Sequence, residues 1–206
     1  MWGFLIQFIH LLSDIPTKGI RMPKILVIPP KLLKKKNYQA MIFNLIRGKE
    51  GTFIFRNLFA KLDNGTEVDL LDSGRLSCAV TVSGILLLNG LIGGMHATVD
   101  STEKDMLKNG WVDVDAGKDW LNTAWQEIKP LLKNKIGAVI IWEKQIDKDG
   151  TEHRHIGFYA DDDFAISNDS ATHRMPMKHH ITFGLPGHTG FRRIEKIYWH
   201  SELDAD

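Results

Sequence analysis

Ile136-Gly137-Ala138-Val139-Ile140-Ile141-Trp142 is a near-continuous apolar run of strand length. Asp147-Lys148-Asp149-Gly150 follows as a hairpin turn, and His155-Ile156-Gly157-Phe158-Tyr159 reads as the return strand. Asp161-Asp162-Asp163 is the next turn, Phe164-Ala165-Ile166-Ser167-Asn168 a third strand, and Arg193 to His200 a last one. Upstream the apolar period is 3.6 rather than 2. Ser77 to Leu91 predicts a helix that is apolar nearly all round and therefore buried, with Ser77 as N-cap and Gly90 to Gly94 as stop. Two amphipathic helices are expected after it, at about Ser101 to Asn109 and Lys118 to Leu132. Helices followed by an antiparallel meander predict an α+β fold.

The 206 residues suffice for one domain of good size with an appended arm. Apolar residues make up 43%, charged residues 25%, and the net charge is +1, so the chain as a whole has no bias toward nucleic acid or anionic membrane. Its charge is unevenly placed. Lys18 to Lys49 holds nine Lys or Arg and no Asp or Glu, and Lys34-Lys35-Lys36 could touch an anionic polymer. Pro16, Pro23, Pro29 and Pro30 break this region, so residues 1–64 are expected to form a basic arm or subdomain ahead of a domain at 65–206. Within it, Tyr38–Phe43 and Thr52–Phe55 read as short strands, or as a helix and a strand. Trp2 to Leu12 is apolar but too short to span a bilayer and carries neither a basic lead-in nor a cleavage site. It reads as a docking segment, with the chain cytoplasmic at synthesis.

Cys78 is the only cysteine, which excludes an intrachain disulfide and a thiolate zinc cage. At the first turn of a helix it meets unpaired N–H groups and the positive end of the macrodipole, both of which favour a thiolate and lower the thiol's pKa. A thiol nucleophile needs a base within hydrogen-bond reach, and the base needs a third polar group to hold its ring. His155 and Asn168 supply these in order. They lie 13 residues apart around the Asp turn, a spacing expected to bring both side chains to one sheet face.

Cys78 at the start of a buried helix, two further helices, Gly137-Ala138-Val139-Ile140-Ile141-Trp142, His155-Ile156-Gly157-Phe158-Tyr159 and Ala165-Ile166-Ser167-Asn168 together resemble the NlpC-type cell-wall peptidases, members of the papain-like cysteine peptidase superfamily. The resemblance covers roughly residues 70 to 200. It implies a papain-like domain whose buried helix carries the nucleophile against an antiparallel sheet. It also implies amide hydrolysis on a peptide or peptidoglycan-type substrate, through Cys78, His155 and Asn168 and a thioester intermediate. The family's Asp-Cys-Ser-Gly-like turn is here Ser77-Cys78-Ala79-Val80, and its Gly-Asp strand opening is here Gly137-Ala138. The Cys78 backbone N–H is the expected oxyanion donor. A second donor is sought among Ser77, Arg75 and Tyr38, with Trp142 or Tyr159 lining a substrate groove. A wall substrate without a leader fits a phage-type lysin released to act on the wall.

The alternatives are a deamidase or transamidase on the same three residues, or a non-catalytic binding module on a degenerate fold of this kind. No cofactor is implied. His153, His155, His173, His179 and His180 suggest zinc at first sight, but no His-Glu-x-x-His helix is present and neighbouring His179 and His180 would point to opposite faces of a strand. The Asp147–Gly150 match to a calcium loop stops after four residues.

Overall fold

In the computed structural model the described residues are 33–46, 52–146, 150 and 152–204. They form an α+β unit, and the compact part of the chain runs from Leu32 to Asp206, beginning well ahead of the boundary expected at residue 65. Residues 1–32 of the expected arm, the Trp2–Leu12 segment included, lie outside the described residues, as does most of the Asp147–Gly150 turn.

Helix α1 spans Lys34–Asn44, α2 Cys78–Leu88, α3 Val99–Lys108 and α4 Trp125–Ile128. Strands β1 (Phe59–Lys61) and β2 (Glu67–Asp69) pair as a small hairpin. The main sheet comprises β3 (Trp111–Asp113), β4 (Val139–Ile146), β5 (Glu152–Asp161), β6 (Phe164–Asn168), β7 (Pro176–His180) and β8 (Ile194–His200). Its order is β3-β8-β4-β5-β6-β7, antiparallel throughout. The predicted apolar run becomes β4, whose Val139, Ile140, Ile141 and Trp142 are wholly buried between β5 and β8. Burial of each such side chain contributes about 1.5–3 kcal/mol.

Residues expected in the arm instead complete the core. Tyr38 and Ile42 of α1 are fully buried, and the Tyr38 hydroxyl donates to the Gly137 carbonyl at 2.7 Å. Gly137 has φ 96°, and an added Cβ there would lie 2.6 Å from the Tyr38 ring, so the start of β4 is shaped around this helix. Lys34 pairs with Glu202, and Lys35 lies 5.6 Å over the Trp199 ring, so part of the basic run is engaged within the fold.

The single helix expected over Lys118–Leu132 is divided into a 3-10 turn at Trp120–Asn122, then α4, then a second 3-10 turn at Lys129–Leu132. Thr123 and Ala124 are extended (ψ 129° and 145°), and Pro130 lies in the second 3-10 turn, where it has no N–H to continue a helical ladder. The buried helix α2 forms as its composition predicts, with Cys78 to Leu86 all buried. Tyr38 packs edge-on to Phe158 at 6.0 Å, and Arg154 pairs with Asp100 and Glu103 of α3. The helices therefore cover the side of β5 that carries Arg154, Ile156 and Phe158.

Candidate active site

Cross-strand register decides which residue meets His155. Beside the β5–β6 turn Asp161 faces Phe164, but beyond a bulge the pairs are Tyr159↔Ala165, Phe158↔Ile166 and Gly157↔Ser167. Had the turn register continued, Gly157 would face Asn168, and Asn168 would share the side of His155. The bulge slips the pairing by one residue, and a slip of one exchanges the two faces. Ser167 therefore takes the His155 side, and Asn168 takes the side of Ile156.

This corrects the expected role of Asn168. Its Nδ2 donates to the Gly74 carbonyl at 2.7 Å, in the loop leading to α2, and lies 3.5 Å from Ser170 Oγ. His155 Nε2 lies instead 2.8 Å from Ser167 Oγ, and Ser167 Oγ lies 2.7 Å from His179 Nε2. His179 Nδ1 is 2.7 Å from the His180 carbonyl. A carbonyl only accepts, so His179 Nδ1 carries the proton and its Nε2 accepts from the Ser167 hydroxyl. Ser167 oxygen then accepts from His155 Nε2–H. The relay thus fixes the His155 tautomer, leaving Nδ1 with the lone pair and with no hydrogen bond among the described residues.

Aromatic rings enclose the relay. Trp142 lies 5.6 Å from the His155 ring and 5.8 Å from His179, and Phe183 stacks on His179 at 4.0 Å and stands edge-on to His155 at 5.5 Å. Burial pushes His155 well below 6.5, helped by the Arg192 charge, and pushes His179 down to about 4. Both rings are neutral at physiological pH.

Cys78 begins α2 as predicted and is 8% exposed. Burial raises its thiol above the ordinary value, against the expectation from the helix terminus. The backbone N–H groups of Ile156 and Ala79, and the Arg192 charge, oppose the rise without overcoming it. Cys78 meets β5 at the Ile156 N–H, on the helix-covered side, whereas the His155 ring lies on the opposite side with Trp142 and Ser167, and no hydrogen bond among the described residues joins sulfur to imidazole.

The other expected site residues take structural places. Ser77 is at the N-cap but makes no capping bond; it is 2% exposed and its Oγ has no partner. Trp142 is fully buried with Nε1 donating to the Ile181 carbonyl at 2.7 Å, so it is a wall of the relay rather than of a groove. The Tyr159 hydroxyl lies 3.4 Å from the Asp162 carbonyl, away from His155, and Tyr38 is committed to Gly137. Arg75 does reach the cleft, where it pairs with Asp72 at 2.6 Å.

That cleft has a volume of about 950 Å³ and is lined by His155 and His179 together with Asn168, Leu76, Arg174 and Arg192. Its lining draws on both faces at this end of the sheet. Among the described residues no group of three His, Cys, Asp or Glu is placed to hold a metal ion. No helix among them is long and apolar enough to cross a membrane.

Sequence reasoning missed Ser167 and His179. Ser167 adjoins the chosen Asn168, and only the bulge separates the two choices. His179 was visible as one of a histidine pair, but nothing in the sequence tied it to His155. No protein-family model, curated protein or solved structure matches this chain.

Proposed function

We propose that the chain is a cysteine hydrolase of papain-like, NlpC-type character, acting on an amide bond of a peptide or peptidoglycan-type substrate. The observation that carries this reading is the relay His155–Ser167–His179. It leaves Nδ1 of a neutral imidazole without a hydrogen bond among the described residues, in a ring that lines the cleft, while the helix-terminal Cys78 meets the same strand at Ile156. A neutral imidazole with an unshared lone pair can act as a base, and the Cys78 thiol is the group it would deprotonate.

The pKa directions select the order of events. With thiol and imidazole both neutral at rest, no ion pair stands ready. Because Cys78 meets β5 on the Ile156 side and the His155 ring lies on the other, attack requires the thiol to move past the Ile156 N–H to His155 Nδ1, which takes its proton as sulfur bonds to the substrate carbonyl carbon. The Cys78 backbone N–H, at the start of α2, faces the developing oxyanion. Imidazolium then protonates the leaving amine, giving the thioester. Water, deprotonated by His155, releases the acid and regenerates the thiol. Ser167 and His179 keep the ring in the productive tautomer throughout. The same thioester delivered to an amine would make a transamidase.

The reading is tested with purified muropeptides incubated with the protein and analysed by mass spectrometry. Products gaining one water are expected, lost on Cys78→Ala; added hydroxylamine is expected to trap the acyl group as a hydroxamate. Equal cleavage by the Cys78→Ala protein sinks the thiol mechanism. Failure to cleave any muropeptide or amide donor favours the binding module.

A further inference from the structure

The cleft beside His155 holds more cations than anions: Arg75, Arg174, Lys178 and Arg192 line it with Asp72 and Asp169. Both acids are engaged, Asp72 by Arg75 and Asp169 by His173 and the backbone N–H groups of Ala171 to His173. Lys178 pairs with Asp161 at 2.8 Å. Arg174 differs: its guanidinium makes a 3.5 Å bond to the Asp72 carbonyl, and no carboxylate among the described residues pairs with it.

Asn168 supplies the opposite polarity. The side chain is 2% exposed, and the bond from Nδ2 to Gly74 fixes which way the amide points. Its Oδ1 is buried without a hydrogen-bond partner. An acceptor kept in that state is costly, which singles it out as a group awaiting a donor. Gly74 brings the two residues to one corner. It has φ 95°, and an added Cβ would lie 2.4 Å from the Arg174 carbonyl oxygen, so the chain segments touch where Asn168 is anchored.

We propose that this corner is a substrate subsite for a carboxylate-bearing peptide: Asn168 Oδ1 accepts a backbone N–H of the peptide, and the Arg174 guanidinium holds its carboxylate. The proposal rests on Cys78 and His155 being the reacting pair and gives that pair its substrate class. A guanidinium fork matches a carboxylate with two parallel hydrogen bonds. The excess of basic over acidic residues in the lining draws an anionic chain toward the cleft. Asn168 is thus a residue that reads the substrate.

Binding tests the subsite separately from turnover. The full-length Cys78→Ala protein is titrated into two fluorescein-labelled pools, Ala-Xaa-Glu-Xaa-Ala and Ala-Xaa-Gln-Xaa-Ala, with L- and D-residues at Xaa, and anisotropy is recorded. The glutamate pool is expected to bind about tenfold more tightly, as one charge-assisted contact implies. Adding Arg174→Ala is expected to bring the pools within about twofold of each other. Adding Asn168→Ala is expected to weaken both alike. Should that variant fail to fold, Arg174→Ala, whose side chain lies outside the core, still decides. Equal binding of the pools, no binding by either, or a preference that survives Arg174→Ala overturns the proposal. Tight acidic-peptide binding by a protein that hydrolyses nothing would instead overturn the reading of Cys78 and leave the subsite standing.

Discussion

Gly157→Ala is expected to destabilise the protein by about 3 kcal/mol and to break the relay. An added Cβ would lie 2.6 Å from both the Ile166 carbonyl oxygen and Ser167 Cβ, and 3.1 Å from the Trp142 ring. Two of those three atoms are held by the β5–β6 ladder, so the clash cannot be relieved by turning a flexible side chain. Overpacking of this kind typically costs 1–3 kcal/mol, and a rigid backbone neighbour places the cost at the upper end. Ser167 is also the atom bridge between His155 and His179, so any yielding there shifts the base. Urea titration checks the prediction: the midpoint is expected to fall by about 1 M or more for the usual dependence on denaturant. An unchanged midpoint would mean that Ser167 and Trp142 are not packed as described.

Acid should also act strongly. His179 is held down to about 4 and His155 well below 6.5, both by burial. In the unfolded chain each takes a proton near 6.5. Between the two values the unfolded state binds more protons, so stability is full above about pH 6.5 and falls as pH decreases. For His179 alone the loss from pH 6.5 to 4 is about 3 kcal/mol, at about 1.4 kcal/mol per pH unit; His155 adds to it. Asp105, Asp163 and Asp169, each held below the ordinary carboxylate range, extend the loss at lower pH still. Urea titrations at pH 7, 5.5 and 4.5 test this, with His179→Gln expected to flatten the dependence. Equal stability at pH 7 and 4.5 would contradict the buried neutral relay.

The parts of this molecule that were legible from sequence are those whose signal is local. An apolar run of strand length became β4, and a helix apolar on all sides became the buried α2 with Cys78 at its start. Arm residues 34–44 were harder, because Tyr38 and Ile42 are buried by contacts reaching a distant strand, and α1 shows almost no amphipathic periodicity to announce them. The identity of the third site residue was not legible at all. It depends on a one-residue bulge near Ala160, and alternation turns that slip into the choice between Asn168 and Ser167. The thiol's protonation was misjudged for a related reason. Helix-terminal N–H groups are a local property and argue for a thiolate, whereas burial belongs to the assembled fold and prevails here.

The most direct measurement is the rate at which iodoacetamide alkylates Cys78 at pH 5 to 9, in the native protein and in His155→Ala. With the resting thiol neutral and raised, the native rate should show no acidic thiolate plateau. At neutral pH it should fall on His155→Ala by roughly 10²-fold, the scale of general-base assistance. Equal rates in the two proteins, or a Cys78 fully protected at every pH, would contradict a nucleophile served by His155.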